Sequence, residues 1–537
     1  MSIPPALPVR TYAEVRAALL EKREIALLDV REEDPHAQAH PLFAANLPLA
    51  RIELDAYAKL PRRDVAIAVL DDDGAPGGLA DTAARRLIAL GYTDVALFAG
   101  GLAGWIAAGG EVFRDVNVPS KAFGELVEAK RHTPSLAAEE VQALIDTGAD
   151  VVIVDARRFD EYQTMSIPTA TSVPGAELVL RVPTLAPRPE TRVIVNCAGR
   201  TRSIIGTQSL VNAGIPNPVA ALRNGTIGWT LAGQALDKGQ GRRFPPVSDA
   251  ARDEAAARAR RVADRAGVAR ATLADLERWR GEAGRTTYLF DVRTPEEYAA
   301  GHLPGFRSTP GGQLVQETEM VAPVRGARLV LVDDDGARAN MSASWLAQMG
   351  WEVAVLDDVP ADAFGARGPW QAPLPALPEI AAVTPATLAD WLATPAKALV
   401  VDVSPGIAYR RAHIPGAWFV LRSALAAAVA TLPSASRYVV AGDGSQDDGL
   451  ARLAAAELAP LVSGEVVVLQ GGTPAWITAD QPTATGEEHL ASPPIDRYRR
   501  PYEGTDNPRE AMQGYLDWEF GLVAQLERDG THGFFVI

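Results

Sequence analysis

The stretch Val193-Ile-Val-Asn-Cys197-Ala-Gly-Arg-Thr-Arg-Ser203 runs from an apolar strand into a short loop that carries one glycine, two arginines and the single cysteine of a 537-residue chain. A helical segment follows at once. A strand that turns through such a loop into a helix aims several backbone N–H groups at one point, and with guanidinium groups beside them the arrangement suits an anion or a thiolate. The stretch predicts one sulfur-centred anion site at the carboxyl end of a strand.

Outward from that stretch, the pattern around it recurs. Leu27-Leu-Asp29-Val-Arg31, Ile153-Val-Asp155-Ala-Arg157, Leu289-Phe-Asp291-Val-Arg293 and Val400-Val-Asp402-Val-Ser404 are apolar runs that end in aspartate. Successive aspartates lie 126, 136 and 111 residues apart, each the length of a small domain. The second and third copies continue to Glu161-Tyr162 and Glu297-Tyr298, where an Arg and a Glu four apart suit one helical face. The third and fourth carry Gly301-His-Leu-Pro-Gly305 and Ala412-His-Ile-Pro-Gly416, turns after which an extended segment can begin. Each copy then has a second apolar strand, at Val65–Val69, Val193–Asn196, Leu329–Val332 and Tyr438–Ala441. Helix-like stretches closed by Gly91, Gly214 and Gly350 follow in three copies. Three copies finish on Gly100-Gly-Leu-Ala-Gly-Trp105, Asn224-Gly-Thr-Ile-Gly-Trp229 and Gly471-Gly-Thr-Pro-Ala-Trp476.

Apolar strands alternating with helices predict α/β units, each a small parallel sheet flanked by helices on both faces, and ligands in such sheets sit at the carboxyl ends of strands. The repeats predict four tandem domains at 8–115, 133–240, 268–370 and 380–485, with a C-terminal helical tail at 493–537. Lys121 to Lys130 reads as a polar helix between the first two domains, and Asp249 to Ala266 as an alanine- and arginine-rich helix between the next two. Pro369 to Pro378, with four prolines, reads as a stiff extended link to the last. In the tail, Arg509 to Arg528 reads as one amphipathic helix with Met512, Leu516, Phe520 and Val523 on a face, packed on a repeat or on a second subunit.

The Asp-x-Arg-x-x-x-Glu-Tyr run, the His-Ile-Pro-Gly turn, the cysteine loop and the Gly-Gly-x-x-x-Trp ending together resemble the rhodanese family of sulfurtransferases. The resemblance extends over four tandem repeats, roughly residues 8 to 485. It implies a catalytic cysteine that becomes a persulfide and passes its outer sulfur to cyanide or a thiol. By position the nucleophile is Cys197, and the substrate cradle is Ala198, Gly199, Arg200, Thr201 and Arg202, with Ser203 opening the helix. The second copy lacks the Gly-His before Ile167-Pro168 that the family turn carries. Where that copy has the cysteine loop, the others have Asp71-Asp-Asp-Gly, Asp333-Asp-Asp-Gly-Ala-Arg338 and Gly442-Asp-Gly-Ser. A carboxylate there cannot carry sulfur and repels thiosulfate, so domains one, three and four are expected to be inactive.

None of the seven histidines falls between His132 and His302, so Cys197 is expected to be ionised by Arg200, Arg202, backbone donors and a helix N-terminus rather than by an imidazole. A guanidinium fork matches a sulfonate face, which favours thiosulfate as donor, with a small neutral mercaptoacid as the alternative. Gly199 is expected to permit close backbone approach. Two other classes compete. A cysteine-dependent phosphatase or arsenate reductase places arginine six residues after the nucleophile, where this chain has Ser203. A non-catalytic scaffold or sulfur or redox sensor would use the repeats to bind partners, and through them or the tail a homodimer or a protein partner.

An apolar share of 47% with 22% charged residues is ordinary for globular protein, and a chain this long holds several cores. No uncharged stretch reaches the ~18 residues of a membrane span, and the start lacks the basic and apolar regions of a secretory signal. One cysteine allows no internal disulfide, so a cytoplasmic location is expected. The net charge of -15 argues against nucleic acid as a partner. Dispersed histidines offer no metal-ligand spacing, and no cofactor is expected.

Overall fold

The computed structural model describes residues 6–393 and 398–537; residues 1–5, part of the start read above, lie outside the described residues. In the second repeat, five parallel strands lie in the order Ser135–Leu136, Val219–Leu222, Arg192–Asn196, Val151–Asp155 and Thr171–Ser172. The third repeat has the same order, from Ala269–Ala271 through Glu352–Leu356, Arg328–Val332 and Thr287–Asp291 to Arg307–Ser308. The fourth follows with Ala382–Val383, Glu465–Leu469, Arg437–Ala441, Leu399–Asp402 and Trp418–Phe419. In the first, the order is Val9–Arg10, Val95–Phe98, Ile67–Leu70 and Ile25–Asp29, with Ala45–Asn46 paired on the last. That sheet gains a sixth strand from the third repeat, Val324–Arg325, which pairs antiparallel with Ile25 and Ala26.

The central strands are largely apolar because both faces are covered. In the second repeat, Ile153 and Ile194 pack on one face with Val141, Tyr162 and Trp229. Val154, Val193 and Val195 pack on the other with Leu178, Val182 and Leu210. The aspartate that ends each first strand is buried. Asp155 accepts from the Arg157 Nε and Nη2 at 2.9 and 2.7 Å, and Asp291 accepts likewise from Arg293 at 3.0 and 2.7 Å. The expected helical-face pairs of Arg157 with Glu161 and Arg293 with Glu297 therefore give way: the arginines turn back to their own strand, and the two glutamates pair elsewhere.

Two connections differ from their sequence reading. The helix Val118–Arg131 is not a polar linker, since Val118 through Val127 are all buried between repeats and tail. Its charged side chains survive there by pairing, Lys121 with Asp115 at 2.7 Å and Glu125 with Arg200 at 2.7 Å. The tail forms two helices, Arg509–Phe520 and Leu522–Asp529, parted at Gly521. The first buries Met512, Tyr515, Leu516 and Glu519, while Phe520 is 56% exposed. It packs on the repeats of its own chain, against Ile227 of the second. The helix Asp249–Arg265 forms where expected and lies against Arg338–Gln348 and Leu178–Leu185. No helix among the described residues is long and apolar enough to cross a membrane.

Repeats dock by sharing core and charge. The first and third share one apolar cluster, in which the Tyr288 hydroxyl donates to the Lys59 carbonyl at 2.7 Å. The fourth holds the first through Arg422, whose side chain is 1% exposed and pairs with Glu53 at 2.7 Å and Glu457 at 2.6 Å. Removing one partner from a fully buried pair costs about 3–5 kcal/mol, and the partial exposure of Glu457 reduces that. Arg422→Met is expected to lower unfolding stability by about 2–3 kcal/mol, read from the urea midpoint at unchanged slope; an unshifted midpoint would show that the two carboxylates find water instead.

Candidate active site

Strand Arg192–Asn196 delivers Cys197 at its carboxyl end, and helix Thr201–Ala213 begins four residues later. The loop between is pinned from outside. At the start of helix Gly225–Leu231, the N–H groups of Thr226 and Ile227 donate to the carbonyls of Cys197 and Ala198 at 2.9 and 3.0 Å. Gly225, with φ of +55°, has to be glycine, because a Cβ there would sit 2.3 Å from the Cys197 carbonyl oxygen. This is the work of the Gly-x-x-Gly-Trp ending, which the sequence shows only as a turn former. The first repeat uses it alike, with Leu102 N–H donating to the Asp71 carbonyl at 2.8 Å.

Cys197 is 1% exposed. Its thiol donates to the Ser203 hydroxyl at 3.4 Å, and that hydroxyl donates to the Arg200 carbonyl at 2.8 Å. Ser203 is thus the third helical residue, turned to the sulfur, rather than the residue that opens the helix; Arg200 occupies the cap position. Burial raises the thiol above its ordinary pKa, and Glu519 adds to that, against the lowering effects of Arg202 and Ser203. The expectation that the loop lowers the thiol pKa gives way here, because burial outweighs Arg202 and Ser203.

The two arginines part company. Arg200 turns away from the sulfur and is held by Glu125 at 2.7 and 2.8 Å, by Glu128, and by Asn224 at 3.0 Å, with Phe520 stacked on its guanidinium. Its place is to fasten the loop to helix Val118–Arg131, which corrects the expectation that it faces a donor. Arg202 is the guanidinium that acts on the sulfur, and it forms a fork with Glu161 at 2.7 and 2.9 Å. Arginines beside it hold the Glu161 carboxyl down at about 2 although burial opposes them. The third repeat keeps the equivalent ion pair, Arg338 with Glu297, through one bond and without any cysteine, so the pair belongs to the fold as well as to the site.

Ala198 is anchored through its carbonyl, which also accepts from the Thr226 hydroxyl at 3.1 Å. The Thr201 hydroxyl is buried without a hydrogen-bond partner. Gly199 permits a close approach, and what approaches is the tail: a Cβ there would lie 3.1 Å from the Tyr515 ring and 3.4 Å from Glu519 Oε2. Cys197, Thr201, Arg202, Lys121, Tyr515 and Glu519 line a small hollow of about 20 Å³. Beside it opens a cleft of about 720 Å³ between the second and fourth repeats and the tail, lined by eight arginines against six carboxylates. Arg202 and Tyr502 border both spaces. Sequence reasoning missed Glu161, Thr226, Lys121, Tyr515 and Glu519. Glu161 was inside a repeated motif, whereas nothing in the tail marks Tyr515 or Glu519 as neighbours of a loop more than 300 residues earlier.

The other loops are filled differently. Asp333, at the place of Cys197, accepts from the N–H groups of Gly336 and Ala339 at 2.9 and 2.7 Å, and Asp71 accepts from Gly74 and Ala80 at 2.7 and 2.9 Å. A built-in carboxylate occupies the donors that an anion would need. In the fourth repeat the same place holds Gly442, with no side chain to react.

The family model for the rhodanese-like domain matches residues 11–108, 137–232, 272–358 and 384–479. Among solved structures, the chain is similar to a thiosulfate sulfurtransferase from Pseudomonas aeruginosa, at 69% identity over 99% of this chain and 100% of that one, with a TM-score of 0.96. Two others match over a fifth of this chain. The BH2092 protein from Bacillus halodurans is 21% identical, covered over 81% of its own length at a TM-score of 0.19. A Rhodopseudomonas palustris protein described as a possible tyrosine phosphatase is 28% identical, covered over 91% at a TM-score of 0.19. Neither carries an argument about this chain. No curated protein matches it. With four family matches that together span most of its length, in the order its own repeats predict, the chain belongs to the rhodanese-like family.

Proposed function

We propose that this chain is a sulfurtransferase that takes sulfane sulfur from thiosulfate onto Cys197 and passes it to a thiol or to cyanide. The observation that carries the reading is that one of four equivalent loops holds a sulfur nucleophile where two of the others hold a carboxylate locked into the backbone donors. The Cys197 thiolate attacks the outer sulfur of thiosulfate; the sulfur–sulfur bond of the donor breaks, its electron pair leaves with sulfite, and a persulfide remains. The acceptor then attacks the outer persulfide sulfur, and Cys197 leaves as thiolate. Arg202 and the unpartnered Thr201 hydroxyl are the side chains placed to bind the sulfonate. The arginine-lined cleft gives an anion its approach against a net charge of -15.

The hollow of about 20 Å³ over Cys197 has room for one water and not for thiosulfate, so the tail shifts when the donor enters. The first, third and fourth repeats are structural in this reading: the third braces the second through Arg338 and Glu177, and the fourth braces the first through Arg422 and Glu53. A phosphatase reading is not favoured, because six residues beyond Cys197 stands Ser203, whose hydroxyl is committed to the Arg200 carbonyl. A lone thiol that must stay reduced suits a cytoplasmic setting.

Incubation with thiosulfate is expected to add one sulfur atom to the intact mass of the wild type and none to Cys197→Ala, and a Cys197→Ala protein that still moved sulfur to cyanide would overturn the assignment. The two arginines should separate in kinetics. Arg202→Met is expected to raise the KM for thiosulfate about 10- to 100-fold, the factor for losing a hydrogen bond to a charged group. Arg200→Met should instead lower the melting temperature, because it strands Glu125, and leave that KM within about threefold; the reverse pattern would put Arg200 at the donor.

A further inference from the structure

Helix Arg509–Phe520 brings a carboxyl group to a site that its sequence position does not announce. Glu519 is fully buried; its Oε1 accepts from the Tyr515 hydroxyl at 2.8 Å, and its Oε2 has no hydrogen-bond partner. That oxygen lies over Gly199, and Glu519 and Cys197 line the same hollow, which has room for about one water. A buried carboxyl oxygen without a partner is costly, and one that borders the space beside a thiol is placed to exchange a proton with it. The nearby reacting group, a thiol raised by burial, has no imidazole to take its proton.

Resting on the sulfurtransferase reading above, we propose that Glu519 is the general base of the second repeat: it takes the Cys197 thiol proton as the sulfur attacks thiosulfate, and returns it to sulfite. Atoms balance. The S–H bond of Cys197 breaks and a proton passes to the Glu519 carboxylate; a bond forms from Sγ to the outer sulfur; the sulfur–sulfur bond of the donor breaks, and sulfite leaves with the pair and takes the proton. With a thiol acceptor the same group works in reverse order, removing the acceptor proton and giving it to the departing Cys197 sulfur.

The surroundings tune such a base toward neutral pH. Burial, and then the charge of Glu125, push the Glu519 carboxyl up to about 8, against Lys121, Tyr515 and Arg200. The other groups that face it ionise elsewhere. Burial works against Lys121, yet Asp115 beside it holds its ammonium well above the ordinary value. Tyr502 and Tyr515 are raised by burial; the guanidinium groups of Arg200 and Arg202 stay charged because their glutamates outweigh burial. Asp115 is committed to Lys121, and Glu125 and Glu128 to Arg200.

The test is the pH profile of single-turnover persulfide formation from thiosulfate, followed by intact mass, in wild type, Glu519→Gln and Glu519→Asp. The rate in the wild type is expected to rise with pH around 8, as the carboxylate form becomes available. Glu519→Gln, nearly the same shape, should melt at the wild-type temperature, lose about a hundredfold at pH 7, and rise only at the higher pH where the thiol ionises unaided. Glu519→Asp should recover part of the rate and the lower limb. A Glu519→Gln profile that superimposes on the wild type, with rates within about threefold, would overturn the role of Glu519 while leaving the sulfurtransferase reading intact. A wild type that gains no sulfur at any pH would overturn both.

Discussion

Two backbone hydrogen bonds, from Thr226 and Ile227 to the carbonyls of Cys197 and Ala198, hold the reactive loop in its curve. Everything at the site depends on that curve. With those carbonyls tied to the next helix, the Ser203 N–H reaches the Cys197 sulfur, as the N–H groups of Gly336 and Ala339 reach Asp333 in the third repeat. Equivalent bonds hold the loops of the first and fourth repeats, where Thr473 donates to the Gly442 carbonyl at 2.9 Å. The same frame therefore carries sulfur chemistry or an internal carboxylate, according to one residue.

Within that frame, burial outweighs charge. Arginines beside a cysteine do not by themselves make a thiolate, because one of them, Arg200, is spent on Glu125 and Glu128, and the other, Arg202, is half neutralised by Glu161. Burial of Cys197 penalises the anion more than the remaining charge favours it. Burial raises the Glu519 carboxyl in the same way as it raises the thiol. One cause, desolvation by burial, thus acts first on both groups of the proposed proton transfer.

The α/β units were legible because each strand is an apolar run covered on both faces, and the repeat spacing gave their number. The site was legible as far as Cys197 and its neighbours in the loop, since one strand-loop-helix unit contains them. It was not legible that Arg200 would be drawn to Glu125, because that depends on helix Val118–Arg131, whose polar residues pass for a solvated linker until Lys121 and Glu125 are seen paired. Tyr515 and Glu519 were beyond reach for a related reason: they follow a helical period that marks a buried face, with nothing to say which loop that face covers. The Glu161 role was half visible, as a motif residue assigned to the wrong arginine.

The short strand Val324–Arg325 joins the first sheet on the open half of Ile25–Asp29, across roughly 300 residues of chain. During synthesis that edge waits for its cover, about 15–60 s at ordinary translation speeds of ~5–20 residues per second. The amino-terminal repeat thus leaves the ribosome as an unfinished module, with Ile25 and Ala26 offering bare peptide groups to any passing strand. Its maturation is tied to a repeat two places downstream, and a fragment ending before residue 324 lacks that closing piece.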